Sequence, residues 1–547
     1  MLWTLPVWLA PNRLIGLPGD PVSNAWNAAW VPYALTHGLN PYQSAYLNAP
    51  FGINNMWPAP TMLYILIVWP LTMLVSPTLG YNAIMLLAMV GTGVAAFALM
   101  TRFTTRLWLA VWASCLFTFG PYEVSEATAG HVDLAAVGSL LLLVLLIDEL
   151  VRVRTWQPRT LGLCIAATLI GQMLTSEELL GTAVLMASLG ALLAAPFRFK
   201  LDRSSAQYML RSLKWAAVAT PCMLAFAAYQ WLAPGALHGP NASPAVYSVP
   251  LITYFVPGPS QLLSVPWATG ITQFVWGTKQ ELTSYVGLGV IVTLALGARR
   301  VNDTLLRWAL AMLLVSAVLA AGPAVPLRGG FILPAPEALL AMLPLVGDIL
   351  PVRLGVYVDL FSALALVMVL DQVKCANWVR YSAAAVVALT WIPAVPAPAV
   401  KVATPTEFSR QPSLGSSSTR ASDVVLVLPY VASGATDNAM LWQAAAHFTF
   451  RMPEGYWVRL TTSQAGNRYG PAVTRFTDSL LMIAASGHRP AMTASLRADA
   501  IAYLRRHDVR AVVLGPSPHE STLRGFIDWV LGASPSYTGG VAVWRVS

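Results

Sequence analysis

Runs of about 17–20 apolar residues succeed one another along the first four hundred positions, each long enough to cross a hydrocarbon core of about 30 Å as a helix. A soluble core of this size has no room to hide so many of them. Composition agrees: 56% of the 547 residues are hydrophobic and 10% are charged, with a mean hydropathy of +0.61. An ordinary soluble domain carries roughly a quarter charged residues. The chain reads as an α-helical polytopic membrane protein.

The formal charge of +9 does not point to nucleic acid. Arg and Lys gather in short clusters between apolar runs, as topology signals do, and no basic stripe interleaved with aromatics occurs. Cys115, Cys164, Cys222 and Cys375 lie in or beside apolar runs without CxxC spacing. That suits packing and implies neither a disulfide framework nor a zinc site. Met1–Ala10 is too short to span and lacks a basic flank, so it reads as part of a first helix rather than a signal peptide.

Spans are expected near 80–100, 107–121, 132–150, 159–175, 178–196, 214–233, 283–298, 305–321, 354–373 and 379–396. The connections alternate in character. Arg102/Arg106, Arg152/Arg154/Arg159, the cluster from Arg198 to Lys214, Arg299/Arg300/Arg307 and Lys374/Arg380 form a basic set. Segments 121–131, 175–178, 234–282 and 322–353 are richer in Pro, Gly and acids. Short basic loops stay in the cytoplasm, so the second set faces out. Residues 59–75 fit this order if they lie in, or dip into, the outer interface, a place that suits Pro70, Trp57 and Trp69. The expectation is about eleven crossings of a cytoplasmic (inner) membrane, with the first outer loop (11–79) and the C-terminal region outside.

Composition changes after Trp391. The membrane domain is expected to occupy 1–400, followed by a Ser-rich linker (401–422) and a small extracytoplasmic α/β domain (423–547). In that domain Val424–Leu428, Ala511–Leu514 and Gly540–Val546 have the character of short buried strands, and 437–450 and 494–506 that of helices. It contains no Gly-rich phosphate loop or metal-ligand cluster.

The first outer loop opens on Gly19-Asp20-Pro21 and continues through Trp26, Trp30, Ala34-Leu35-Thr36-His37-Gly38-Leu39-Asn40-Pro41-Tyr42, Ala49-Pro50-Phe51-Gly52-Ile53-Asn54 and Trp57 to Pro60-Thr61-Met62-Leu63-Tyr64. With Gly130-His131-Val132-Asp133, Leu350-Pro351-Val352-Arg353 and Met440-Leu441-Trp442-Gln443-Ala444, this plan resembles the GT-C glycosyltransferases. More narrowly, it looks like a bacterial multi-pass group within them. The resemblance implies a polyprenyl-phosphate sugar donor, transfer at the outer face, and Asp20 as general base or acceptor-orienting carboxylate. Some relatives carry a paired Asp-Glu or Asp-x-Asp in this loop. Here Gly19 and Pro21 flank Asp20, and the Trp-Trp-Asp motif of oligosaccharyl transferases is absent. Metal dependence is therefore left open, with Mg or Mn as the divalent cations to consider.

Chemistry alone also singles out these residues. A carboxylate within reach of an acceptor hydroxyl can remove its proton as the glycosidic bond forms; the alternative for Asp20 is a Gly-Asp-Pro turn. His131 and Asp133 enter a span, where ionisable groups are costly and tend to face a cavity or pair with one another. A helix cap is the alternative. Glu177 and Glu178 follow Thr175-Ser176, an N-terminal cap favoured by the helix dipole, with one of them a candidate acceptor contact or metal ligand. Glu123 and Glu126 read as solvated charge on the same surface. Arg353 offers a phosphate paired donors in a fixed fork, against an interfacial anchor or an ion pair with Asp348 or Asp359. Arg328 and Lys279 are lesser candidates for the same task. Trp26 and Trp57 could stack on sugars, or belong to an aromatic belt. The long segment 234–282, with Tyr247, Tyr254 and Trp267, suggests a flap over a donor pocket.

These features favour a membrane-embedded inverting glycosyltransferase (hexosyl- or pentosyltransferase) with a glycan, lipid or protein acceptor. A lipid or glycolipid flippase is the alternative, though no internal repeat supports it and the charges gather near one face. A non-catalytic scaffold of the same fold is the third reading.

Overall fold

The computed structural model describes residues 3–56, 60–194, 202–234, 244–245, 247–264, 284–326, 332–340, 342–343, 347, 349–402, 405, 423–432, 438–459 and 468–546. These group into two compact units. One comprises Met1–Leu5, Met85–Trp231 and His238–Ala397, the other Pro6–Ile84, Leu232–Leu237 and Pro398–Ser547. The division falls differently from the one the sequence suggests, because residues 6–84 share a unit with the C-terminal region.

In the first unit the segment Pro351–Gln372 forms the central pillar. It starts as a 3-10 turn, Pro351–Leu354, and continues as the helix Gly355–Gln372, in which every residue from Gly355 to Leu370 is buried. Its apolar residues run all round the helix, which is the pattern of a buried element rather than an amphipathic one. Helices Thr304–Ala320, Leu107–Thr118 and Leu288–Ala298 pack around it. Among the described residues, four helices are long and apolar enough to cross a membrane: Pro77–Met100, Val132–Val153, Glu177–Ala194 and Pro351–Gln372. Other expected spans are shorter as helices, such as Leu107–Thr118 at 12 residues and Leu288–Ala298 at 11. Several basic connections are tied to local acids, with Arg102 on Glu149 at 2.9 Å, Arg106 on Asp371 at 3.0 Å and Arg152 on Asp148 at 2.6 Å.

The second unit contains a four-stranded mixed sheet. Its spatial order is Ser536–Thr538, Val541–Arg545, Val509–Leu514, Val424–Leu428. The last two strands are parallel and the other pairs antiparallel. All five residues of Val424–Leu428 are buried, which explains a continuous apolar run where a half-exposed strand would alternate. Helices Arg475–Ser486, Ala494–Arg506 and Glu520–Leu531 bury their apolar faces in the core beside it. The strand Arg13–Ile15 pairs antiparallel with Ala399–Lys401.

The segment expected as a first outer loop is helical for much of its length. Asp20–Thr36 is a 17-residue helix, packed against the helices Met62–Leu74 and Asn438–Ala445. Its alanines at 25, 28, 29 and 34 are strong helix formers, and Pro21 sits in the first turn, where a missing N–H costs nothing. The aromatic density that suggested a membrane belt turns inward. Trp26 and Trp30, one turn apart, stack at 5.5 Å, and the Phe448 ring meets both of them as well as Tyr33 and Tyr46.

Candidate functional site

The first unit carries a buried cluster of ionisable groups where short polar segments meet its apolar helices. The helix Pro121–Ala129 opens with Pro121 and closes at Gly130, whose φ of 91° is left-handed and suits glycine. That turn brings His131 back over the helix, so that its Nδ1 lies 2.7 Å from Glu126 Oε2. The other Glu126 oxygen, Oε1, accepts from Arg353 Nη1 at 2.8 Å. Arg353 Nε lies 3.4 Å from Glu178 Oε1. Glu126 is fully buried and Arg353 is 6% exposed. Charges so enclosed persist only when paired, and here one guanidinium and one imidazole hold one carboxylate. Burial alone would raise the Glu126 pKa, yet the Arg353 and His131 charges and hydrogen bonds bring it below the ordinary carboxylate value.

Neighbouring acids extend the cluster. Asp133 lies within electrostatic range of His131, Glu178 and Arg353. Glu177 accepts from Gln230 through Oε2, while its Oε1 is buried with no hydrogen-bond partner among the described residues. Ser176 Oγ caps this helix by accepting from Leu179 N at 3.3 Å, and both glutamates occupy the first turn, where the dipole favours negative charge. Glu123, one turn before Glu126, is buried too. Desolvation, then the charges of Asp359 and Glu126, hold its pKa well above the ordinary value. Asp359 Oδ2 accepts from Tyr122 N at 2.9 Å.

The structure thus gathers His131, Asp133, Glu177, Glu178 and Arg353 from three separate stretches of the sequence. It also adds Glu126 as their hub. Reading Glu123 and Glu126 as solvated charge is corrected: both are buried. The available signal was their spacing of three within a nine-residue stretch bounded by Gly120-Pro121 and Gly130, a short helix with both acids on one face. Arg353 pairs with Glu126 and Glu178; Asp348, Arg328 and Lys279 lie outside the described residues. Among the described residues no three His, Cys, Asp or Glu side chains converge as a metal site. Of the two glutamates, one of which was weighed as a metal ligand, Glu178 faces a guanidinium.

Asp20 belongs to the second unit. It is the first residue of its helix and half-buried. Gly19 before it has φ 136° and ψ −116°, a conformation closed to residues with a Cβ, which accounts for the Gly-Asp pair. A helix start replaces the Gly-Asp-Pro turn. Tyr81 lies within electrostatic range of Asp20 and donates its hydroxyl to Ile15 O at 2.8 Å.

Stacking of Trp26 on a sugar is corrected by its burial. At 1% exposure the indole is a core element, its Nε1–H donating to Gln443 Oε1 at 2.8 Å. Trp57 lies outside the described residues. So do most of the suggested flap, 235–243 and 265–283, and Trp267 with them. In the described part Tyr254 is buried and donates to Ala317 O at 2.6 Å.

No family model and no curated protein matches the chain. Solved structures do. The arabinofuranosyltransferase AftD from Mycobacteria, seen by single-particle cryo-EM, superposes with a TM-score of 0.49 and 15% identity, covering 99% of this chain and 39% of its own. The oligosaccharyltransferase of Archaeoglobus fulgidus, crystallised in complex with Zn and sulfate, gives a TM-score of 0.41 and 12% identity over 95% of this chain and 67% of its own. This chain spans well under half the length of AftD.

Proposed function

We propose that this chain is an integral-membrane glycosyltransferase of GT-C type. It moves a hexosyl or pentosyl group, with inversion, from a polyprenyl-phosphate donor to an extracytoplasmic glycan, lipid or protein. The observation that carries the reading is the buried Glu126–Arg353–His131 constellation. Ionisable groups among apolar helices are costly and are retained where a polar substrate must be met. Here an arginine is oriented by two carboxylates, which fixes a fork suited to phosphate.

In this reading Asp20 accepts the acceptor hydroxyl proton as the new C1–O bond forms, and the C1–O bond to phosphate breaks with its electron pair leaving on the phosphate oxygen. Arg353 stabilises that developing charge, Glu126 and Glu178 position Arg353, and His131 and Asp133 contact the donor. The test is transfer of radiolabelled sugar in membranes. Asp20→Asn should fold and insert normally yet lose transfer. Wild-type turnover in that variant removes the role given to Asp20, and absence of transfer by the native chain with any polyprenyl-phosphate sugar removes the whole reading.

A further inference from the structure

Within the second unit a cavity of about 650 Å³ opens between the segment at 48–51 and the helices Arg475–Ser486 and Ala494–Arg506. Three arginines line it, Arg459, Arg475 and Arg506, against one acid, Asp499. Three positive charges against one negative leave an excess of two. His507 adds none, since burial holds its pKa below the ordinary value.

One of these cations is placed against its helix dipole. Arg475 is the first residue of its helix, where the dipole repels a positive charge by about 0.3–1 kcal/mol. Arg506 lies over the Phe51 ring at 5.7 Å, and Arg459 Nε is anchored on Gly470 O at 3.1 Å. Both guanidiniums are thereby oriented at the cavity wall. Phe51 is 61% exposed, an open aromatic face beside the positive field, and Tyr503 supplies a second ring. A small-molecule site takes about 300–1,000 Å³. This cavity is larger than a lone phosphate needs and of a size for a sugar. Its concavity also argues against a flat anionic membrane surface as the occupant.

We propose that this pocket binds an acidic sugar: a pyranose or furanose carrying phosphate or carboxylate, the anion on the arginine forks and the ring against Phe51. The binding stands apart from sugar transfer, so failure of the transferase reading leaves it intact.

Calorimetry on the full chain in detergent tests it, with glucose 6-phosphate, glucuronate, glucose and inorganic phosphate as probes and anionic phosphatidylglycerol vesicles as a further arm. Glucose 6-phosphate or glucuronate should bind saturably, and glucose should not. The pair Arg475→Gln/Arg506→Gln should weaken binding about ten-fold or more with the thermal midpoint retained. Arg505→Gln, the same charge change outside the cavity lining, should leave binding unchanged. The proposal is overturned by no saturable binding, by equal loss in Arg505→Gln, by inorganic phosphate binding as tightly as the sugars, or by vesicle binding that needs these arginines while neither acidic sugar binds.

Discussion

Glu126 and Arg353, separated by 227 positions in sequence, meet at 2.8 Å in the interior of the first unit, with His131 on the carboxylate's other oxygen. Removing one partner leaves an uncompensated buried charge. Arg353→Met should lower stability by about 3–5 kcal/mol, read as a fall in the thermal midpoint of the detergent-solubilised protein. Adding Glu126→Gln should restore part of that loss, because the two sites share one interaction. Additive losses would show that the ion pair is not the source.

Gly19 and Asp20 separate by test. Gly19→Ala forces a side chain onto φ 136° and should destabilise by about 1–3 kcal/mol. Asp20→Asn keeps the first-turn geometry and should leave the thermal midpoint within about 0.5 kcal/mol of wild type. Transfer activity should respond in the opposite order, falling most in Asp20→Asn.

Gln443 holds the N-terminal helix of the second unit to its C-terminal part. It accepts from Trp26 Nε1 and donates to the carbonyls of Tyr46 and Phe450 at 2.9 and 3.1 Å. Gln443→Ala strands three buried polar groups at once and should cost about 2–4 kcal/mol. Chemical denaturation measures it. A change below about 0.5 kcal/mol would show that these contacts are dispensable.

Glu454 makes the second unit sensitive to alkali. It is fully buried, and its Oε1 accepts from Val427 N at 2.7 Å while Oε2 has no partner among the described residues. Desolvation raises its pKa well above 4.5, so the folded form holds a proton that the unfolded chain releases. Stability from this group is complete below pH 4.5 and is lost as pH rises towards the folded pKa. Thermal midpoints between pH 5 and pH 8 should fall in the native protein and fall less in Glu454→Gln. Parallel curves would remove Glu454 as the cause.

The sequence by itself determined the local and one-dimensional features. Long apolar runs dictate helices such as Pro351–Gln372, and a short continuous one dictates the buried strand Val424–Leu428, because each pattern reports what its own segment must hide. It also marked His131, Asp133, Glu177, Glu178 and Arg353, since ionisable residues stand out against apolar surroundings. It did not give the helix Asp20–Thr36, whose aromatic residues suit a membrane interface and a protein core equally well. Only Phe448 and Gln443, more than four hundred positions further on, decide between them. Tertiary structure alone also made Glu126 the hub of its cluster and closed three arginines around one cavity. Burial and charge pairing are properties of segments brought together by folding, and no window along the chain contains them.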